Sequence, residues 1–427
     1  MYRFFSILAG CAISLGLHAQ DAAGIINLEE VTRIEKTLAS DDMQGRAVFT
    51  EGNRKAATFI AAEFQKTGLQ TPPNGDGYLQ TFAVYKPKYL SGSATVNGKN
   101  LKEDEVVVVT ATPDLAVNEQ SGYTIARIGK GDQLFATAFG LVGSGKNQLV
   151  LVDPSFAKDF KRLSFFKREL LESKGNTIFI LGSEAPATYS IRAKHDIEKE
   201  KLFNVVGILP GRSKKDEYVI FSGHFDHLGI GKPLNGDSIY NGANDDAAGT
   251  TAVIMLANYF KALGNNERTL IFAAFTAEET GGFGSRYFSQ QFHPVKVMAM
   301  FNIEMIGTES KWGTNSAYIT GYEKTDMGKI LEKNLEGSGF RFYPDPYPDQ
   351  QLFYRSDNAT LARLGVPAHT ISTSKMDSEK YYHTADDEWE TLDLKNMAEI
   401  IRAIAISSGS IVAGKDTPTR VDTSSLR

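Results

Sequence analysis

Apolar positions recur every three and four residues from Leu28 to Leu38, and again from Asn53 to Leu69 through Ala57, Ile60, Ala61 and Phe64. Both runs predict amphipathic helices, the second stopped at Gly68. Beyond Pro72-Pro73 the period shortens. From about residue 86 to 200 short β-type runs prevail, at 106–109, 149–152 and 177–181, with one charged helix expected over roughly 158–173. From Phe203 strands and helices alternate. Strands are expected at 204–209, 218–222, 269–275, 297–303, 317–320 and 368–372. Helices are expected to start near Ala247, Gly284, Lys324, Asp357 and Asp393. Such alternation implies an α/β fold, a doubly wound and mostly parallel sheet flanked by helices, with the β-rich stretch inserted. The expected organisation is a leader over 1–20, a first part of the main domain over 21–85, the insertion over 86–200, the rest of the main domain over 201–413, and a flexible tail over 414–427.

Composition narrows the picture. The 427 residues allow two to three domains, and the net charge of −5 offers no basic stripe for nucleic acid. Arg3 followed by the apolar stretch Phe4 to Leu17 reads as an export signal, cleaved near residue 20. Leu8-Ala9-Gly10-Cys11 is an alternative lipoprotein box that would anchor the chain through Cys11. No later run is long and apolar enough for a transmembrane helix. Cys11 is the only cysteine, so a metal site in the mature chain has to use His and carboxylate. A periplasmic or secreted location is expected.

The residues able to do chemistry cluster where hydrophobic runs stop, and parallel sheets carry their functional groups at strand ends. His224 ends one run in GHFDH, where Asp226 can accept the N–H of its ring; His227 reads as a bystander. Asp245 and Asp246 lie in NGANDDAAG, a pattern that also suits simple capping of a helix. The pair Glu278-Glu279 closely follows an apolar strand. Two adjacent carboxylates can divide the work, one binding metal and its neighbour taking a proton from the attacking water. Glu304 sits in MFNIEMI, where an unpaired carboxylate is costly and a cationic partner is called for. His383 follows Tyr381-Tyr382. Each residue alone is weak evidence, whereas the ordered set suits two zinc ions sharing one carboxylate.

In these motifs the sequence resembles the secreted two-zinc aminopeptidases of metallopeptidase family 28, of clan MH. The matching text covers most of 203–390, and 38–46 resembles the family's opening helix and loop. More weakly, 86–200 resembles the protease-associated insertion of some members. The resemblance implies Asp245 as the bridge between two Zn2+ per chain, His224 and Glu304 completing one site, and Glu279 and His383 the other. It implies Glu278 as general base, Tyr382 as oxyanion stabiliser, and a cis peptide between Asp245 and Asp246. Two departures stand out. Glu304 replaces the usual Asp, and Asn358 replaces the His of a Ser-Asp-His motif, for which altered pocket contacts are expected.

The expected function is therefore an exported two-zinc exopeptidase acting on peptides or proteins, most simply an aminopeptidase. A one-zinc glutaminyl cyclase, a carboxypeptidase or dipeptidase, and a non-catalytic binding protein on the same fold are the alternatives. Phe340, Phe342, Tyr343, Tyr347 and Phe353 suggest either an aromatic substrate pocket or core packing.

Overall fold

A computed structural model describes residues 22, 24–171 and 175–426, so the leader and Cys11 lie outside the described residues. The described residues divide into two compact units, one of those up to residue 81 with 202–426 and one of those within 82–201.

In the first unit, helix α1 (Leu28–Leu38) starts at Asn27, whose side chain accepts the Glu30 amide, and buries Val31, Ile34 and Leu38. Helix α2 (Glu51–Thr67) is capped by Thr50 and ends at Gly68, whose φ of 74° suits glycine. Among the described residues seven strands of its main sheet follow, beside a separate hairpin of Gly229–Leu234 and Asp237–Tyr240: β1 (Tyr189–Leu209, with its last residues in this unit), β2 (Lys214–His224), β3 (Arg268–Phe275), β4 (Val297–Ile303), β5 (Ser316–Ile319), β6 (Arg341–Pro344) and β7 (Ala368–Ser372). They pair in the order β6-β5-β7-β4-β2-β3-β1. The four central strands β7, β4, β2 and β3 are mutually parallel, while β1 and the β5–β6 pair run antiparallel to their neighbours.

Alternation along β2 separates two cores. Val219 and Phe221 face a layer built from α1, α2, α3 (Ala248–Leu263) and the helix Leu394–Ser407. Ile220 faces the opposite layer, with Phe288 and Leu361 from the short helices Phe283–Ser289 and Asn358–Ala362. The sheet is thus doubly wound. Phe221 is its centre, stacked within 5.0–5.6 Å of Phe260, Phe272 and Phe301. Each fully buried phenylalanine stabilises by roughly 2–3 kcal/mol.

The strands and helices read from residue 203 onward are all present, whereas β6 was not anticipated. The tail differs from expectation. A flexible tail is expected over 414–427 from its polar composition, yet in the described part, to 426, the buried Arg268 donates to Asp416 O, Arg420 donates to Val297 O, and Val421 is 4% exposed. Arg268 of the folded body holds a tail carbonyl and Arg420 of the tail holds body carbonyls, partnerships that composition alone cannot show.

The second unit has a four-stranded mixed sheet in the order Val106–Val109, Thr177–Leu181, Gln148–Val152, Thr124–Ile128. The expected charged helix over 158–173 is instead a 3-10 segment, Phe160–Lys167, followed by the short strand Leu170–Leu171. An α-helix occurs at Leu134–Gly143, where only strands were read.

Candidate metal centre

The proposed ligands arrive at the carboxyl ends of the central strands. His224 is the last residue of β2, Glu278 and Glu279 follow β3, Glu304 follows β4, and His383 lies in the loop after β7. Asp245 precedes α3, and its bond to Asp246 is a cis peptide, as the family resemblance implied. Helix α3 reaches the strand ends closely because Gly249 lacks a side chain. A Cβ there would meet Ile303 O and both carboxylate oxygens of Asp246.

Asp245 is the hub. One of its oxygens lies 3.3 Å from His224 Nε2, the other 3.1 Å from His383 Nε2. His383 Nε2 is also 3.2 Å from Glu279. Two groups of potential ligand atoms share Asp245, one with His224 and Glu304, the other with His227 and Glu279. In both, the donors are nitrogen and oxygen, which zinc accepts. The buried His224 Nε2 and Glu304 Oε2 have no hydrogen-bond partner among the described residues. Orphaned acceptors aimed at a common point fit a cation.

His224 is fixed differently from the sequence reading. Its Nδ1 lies 3.0 Å from the backbone carbonyl of Asp226 and 3.9 Å from that residue's carboxylate. Donation to the carbonyl leaves the Nε2 lone pair free for metal. The Asp226 carboxylate instead accepts the amides of Glu278 and Glu279, at 3.1 and 3.4 Å. It therefore positions the two acids rather than the imidazole.

His227, read as a bystander, is a member of the site. Its Nδ1 is 2.8 Å from Glu279 Oε1 and 3.9 Å from Asp245. Asp387, not singled out from the sequence, also supports the site. It accepts the amides of Asn244 and Asp245 at 2.9 and 3.1 Å, fixing the hub's backbone. Asp246 does more than cap. Its carboxylate accepts the amides of His224, Gly249 and Met305, tying β2, α3 and the end of β4 together.

The buried Arg46 donates to the carbonyls of Leu38, Phe225, Asn241 and Gly242, linking the opening loop to the segments that carry His224 and Asp245. Its place in the 38–46 motif was visible, its partners were not.

Electrostatics follow from crowding. Burial, with the charges of Glu304, Asp357 and Glu279 adding to it, holds the Glu278 carboxyl well above the usual range. Burial likewise raises Glu304 to about 7. Burial works to raise the Asp245 carboxyl, but the neighbouring His224, His383 and His227 rings outweigh it and hold the carboxyl low. Backbone conformation is also strained: Ala277, Met305 and His383, each within two residues of a proposed ligand, have φ of 61°, 53° and 56°. For residues with a side chain this costs of order 1–3 kcal/mol each.

Tyr382 lines the cavity and stacks on His383 with ring centroids 3.9 Å apart. Apolar lining comes from Met305, Tyr318, Leu352 and Met376. The five aromatic residues considered from sequence do not line it. Phe342, Tyr347 and Phe353 are buried in packing, and Tyr343 stacks on Trp312. Asn358 is also absent from the lining. Its amide donates to Phe353 O and Ala368 O, and its carbonyl accepts from Thr370, so this departure is internal rather than a changed pocket contact.

Residues 204–407 match the model of peptidase family M28. A probable leucine aminopeptidase of Trichophyton verrucosum is 28% identical over 206 residues, 46% of this chain and 54% of that protein. The chain thus aligns with about half the length of the relatives it matches. A zinc aminopeptidase of Bacillus subtilis superposes with a TM-score of 0.55 over 92% of this chain and 97% of that one, at 15% identity. A glutaminyl cyclase of Porphyromonas gingivalis gives 0.50 over 91% and 99%, at 9% identity. At these identities the structural likeness concerns fold alone. Over residues 204–407, just under half of its length, the chain is therefore similar to peptidase family M28.

Proposed function

We propose that the protein is an exported two-zinc aminopeptidase that removes N-terminal residues from peptides. The observation that carries this reading is the pair of Asp245 oxygens, one beside His224 and the other beside His383. His224, Asp245 and Glu304 would hold one ion, and Asp245, Glu279 and His383 the other. Zinc bound there supplies a Lewis acid and makes water a better nucleophile near neutral pH.

The chain's own residues do the rest. Glu278 takes the proton of the attacking water and returns it to the leaving amine. Asp226 holds the Glu278 and Glu279 amides, so base and ligand keep a fixed spacing. Tyr382, stacked on His383, donates its phenolic hydrogen to the oxyanion. Glu304 and Glu279 receive the substrate's free amine, and the apolar wall of Met305, Leu352 and Met376 receives its side chain. In this reading the unit of residues 82–201 is a protease-associated-type insertion that carries none of the ligands.

Zinc analysis of purified protein, combined with hydrolysis of leucine p-nitroanilide and its N-acetyl derivative, tests the proposal. Near two zinc per chain with cleavage of the free-amine substrate alone is expected. Near one zinc with cyclisation of N-terminal glutamine would move the assignment to a cyclase.

A further inference from the structure

Among the residues lining the metal-centre cavity, Arg355 is the only lysine or arginine. The other cations near the site in sequence are engaged elsewhere. Lys375 pairs with Glu309 at 2.8 Å, Lys311 lies over the ring of Tyr347, and Arg341 lies over that of Tyr343. Arg355 has no such engagement. Its guanidinium is exposed, and its one hydrogen-bond partner among the described residues is the neutral Gln350 Oε1, at 3.5 Å. Among the described residues it has no carboxylate within ion-pair distance, although the cavity it lines holds four.

Charge balance makes this informative. Asp245, Glu278, Glu279 and Glu304 carry four negative charges when ionised, which two divalent ions neutralise. Among the side chains that line the cavity, Arg355 would then keep a charge with no carboxylate in contact with it. An arginine fork is shaped to take a carboxylate through two parallel N–H bonds. Its neighbour Leu352 belongs to the apolar wall, so a substrate seated there has Arg355 at its edge.

We propose that Arg355 forms a subsite for a carboxylate carried by the substrate, making this a peptidase that favours substrates with an anionic group close to the bond it cuts. The inference rests on the aminopeptidase reading above. Two sources supply the same chemistry, the terminal carboxylate of a dipeptide or an acidic side chain.

Calorimetry on full-length Glu278→Gln protein, in which turnover is slowed, tests it with two matched pairs: Leu-Gly against Leu-Gly amide, and Glu-Gly amide against Gln-Gly amide. At least one carboxylate-bearing member is expected to bind about tenfold tighter than its neutral partner. Adding Arg355→Ala should erase that ratio, and Arg355→Lys should restore part of it. The first pair reports a terminal carboxylate, the second an acidic side chain. Ratios near one in both pairs, or a preference that survives Arg355→Ala in protein with an unchanged melting temperature, overturn the proposal. Turnover by the parent protein separates the two readings. Hydrolysis without an Arg355-dependent ratio removes the subsite and keeps the peptidase, whereas Arg355-dependent binding without hydrolysis does the reverse.

Discussion

Asp246→Asn removes one acceptor from a buried three-way brace while barely changing its shape. Asp246 is fully buried, with one oxygen accepting the amides of Gly249 and Met305 at 3.0 and 3.1 Å and the other accepting that of His224 at 3.1 Å. Burial pushes this carboxyl's pKa up. Three N–H donors nevertheless converge on it, and that arrangement calls for the ionised form. In the asparagine variant the amide oxygen can keep the doubly bonded position, but its NH2 group then faces the His224 N–H, donor against donor. The variant loses a hydrogen bond to a charged acceptor, leaves a buried donor unpaired, and weakens the two remaining bonds. Together these are worth about 3–5 kcal/mol, or a melting temperature lower by roughly 10 °C. Urea denaturation of the zinc-loaded and chelated protein reads the loss directly. Zinc content should fall as well, because the His224 backbone is no longer held. A loss below about 1 kcal/mol would refute the brace and return Asp246 to ordinary capping.

Glu278→Gln should retain metal, measured by elemental analysis, while turnover falls by about 10²–10⁴-fold; activity within tenfold of the parent excludes Glu278 as base. Asp245→Asn should lose both ions together, whereas His224→Ala and His383→Ala should each weaken mainly one, as followed by competition with a chromogenic chelator. Glu35 is fully buried beneath Thr251, and burial raises its carboxyl to about 8. Its folded pKa lies above the unfolded value, so the native state holds a proton that the unfolded state releases, and stability falls as pH rises from about 4.5 to 8. Glu35→Gln should flatten that part of the stability–pH curve, measured by denaturation at pH 5 and pH 8, and should stabilise the protein at the higher pH; an equal slope in both proteins refutes it.

Much of this was legible because periodicity and strand ends are local properties. The run from Leu28 to Leu38, the stop at Gly68 and the ligands at the ends of β2, β3 and β4 all declare themselves within a few neighbours. What escaped depends on residues distant in sequence. His227 meets Glu279 across the gap between two strands, and Asp387 braces Asp245 from near the chain's end. The Asp226 carboxylate was assigned to its close neighbour His224, whereas amides following the next strand capture it. Strand β6 is short and partly exposed, so no alternation marks it. The segment 160–167 has the composition of a helix but adopts a 3-10 form, a distinction that residue type does not encode.

Arg46 sets the smallest piece of this chain worth expressing. The family match begins at residue 204, and a fragment trimmed to 204–407 retains every proposed ligand. It would nevertheless expose, inside its own interior, the carbonyls of Phe225, Asn241 and Gly242 that Arg46 now satisfies, at roughly 1–3 kcal/mol for each one left unpaired. The opening loop thus acts as a keystone inserted from outside the matched region. Trimming by alignment would yield a domain holding every chemical group the reaction needs and lacking the donor that gathers them.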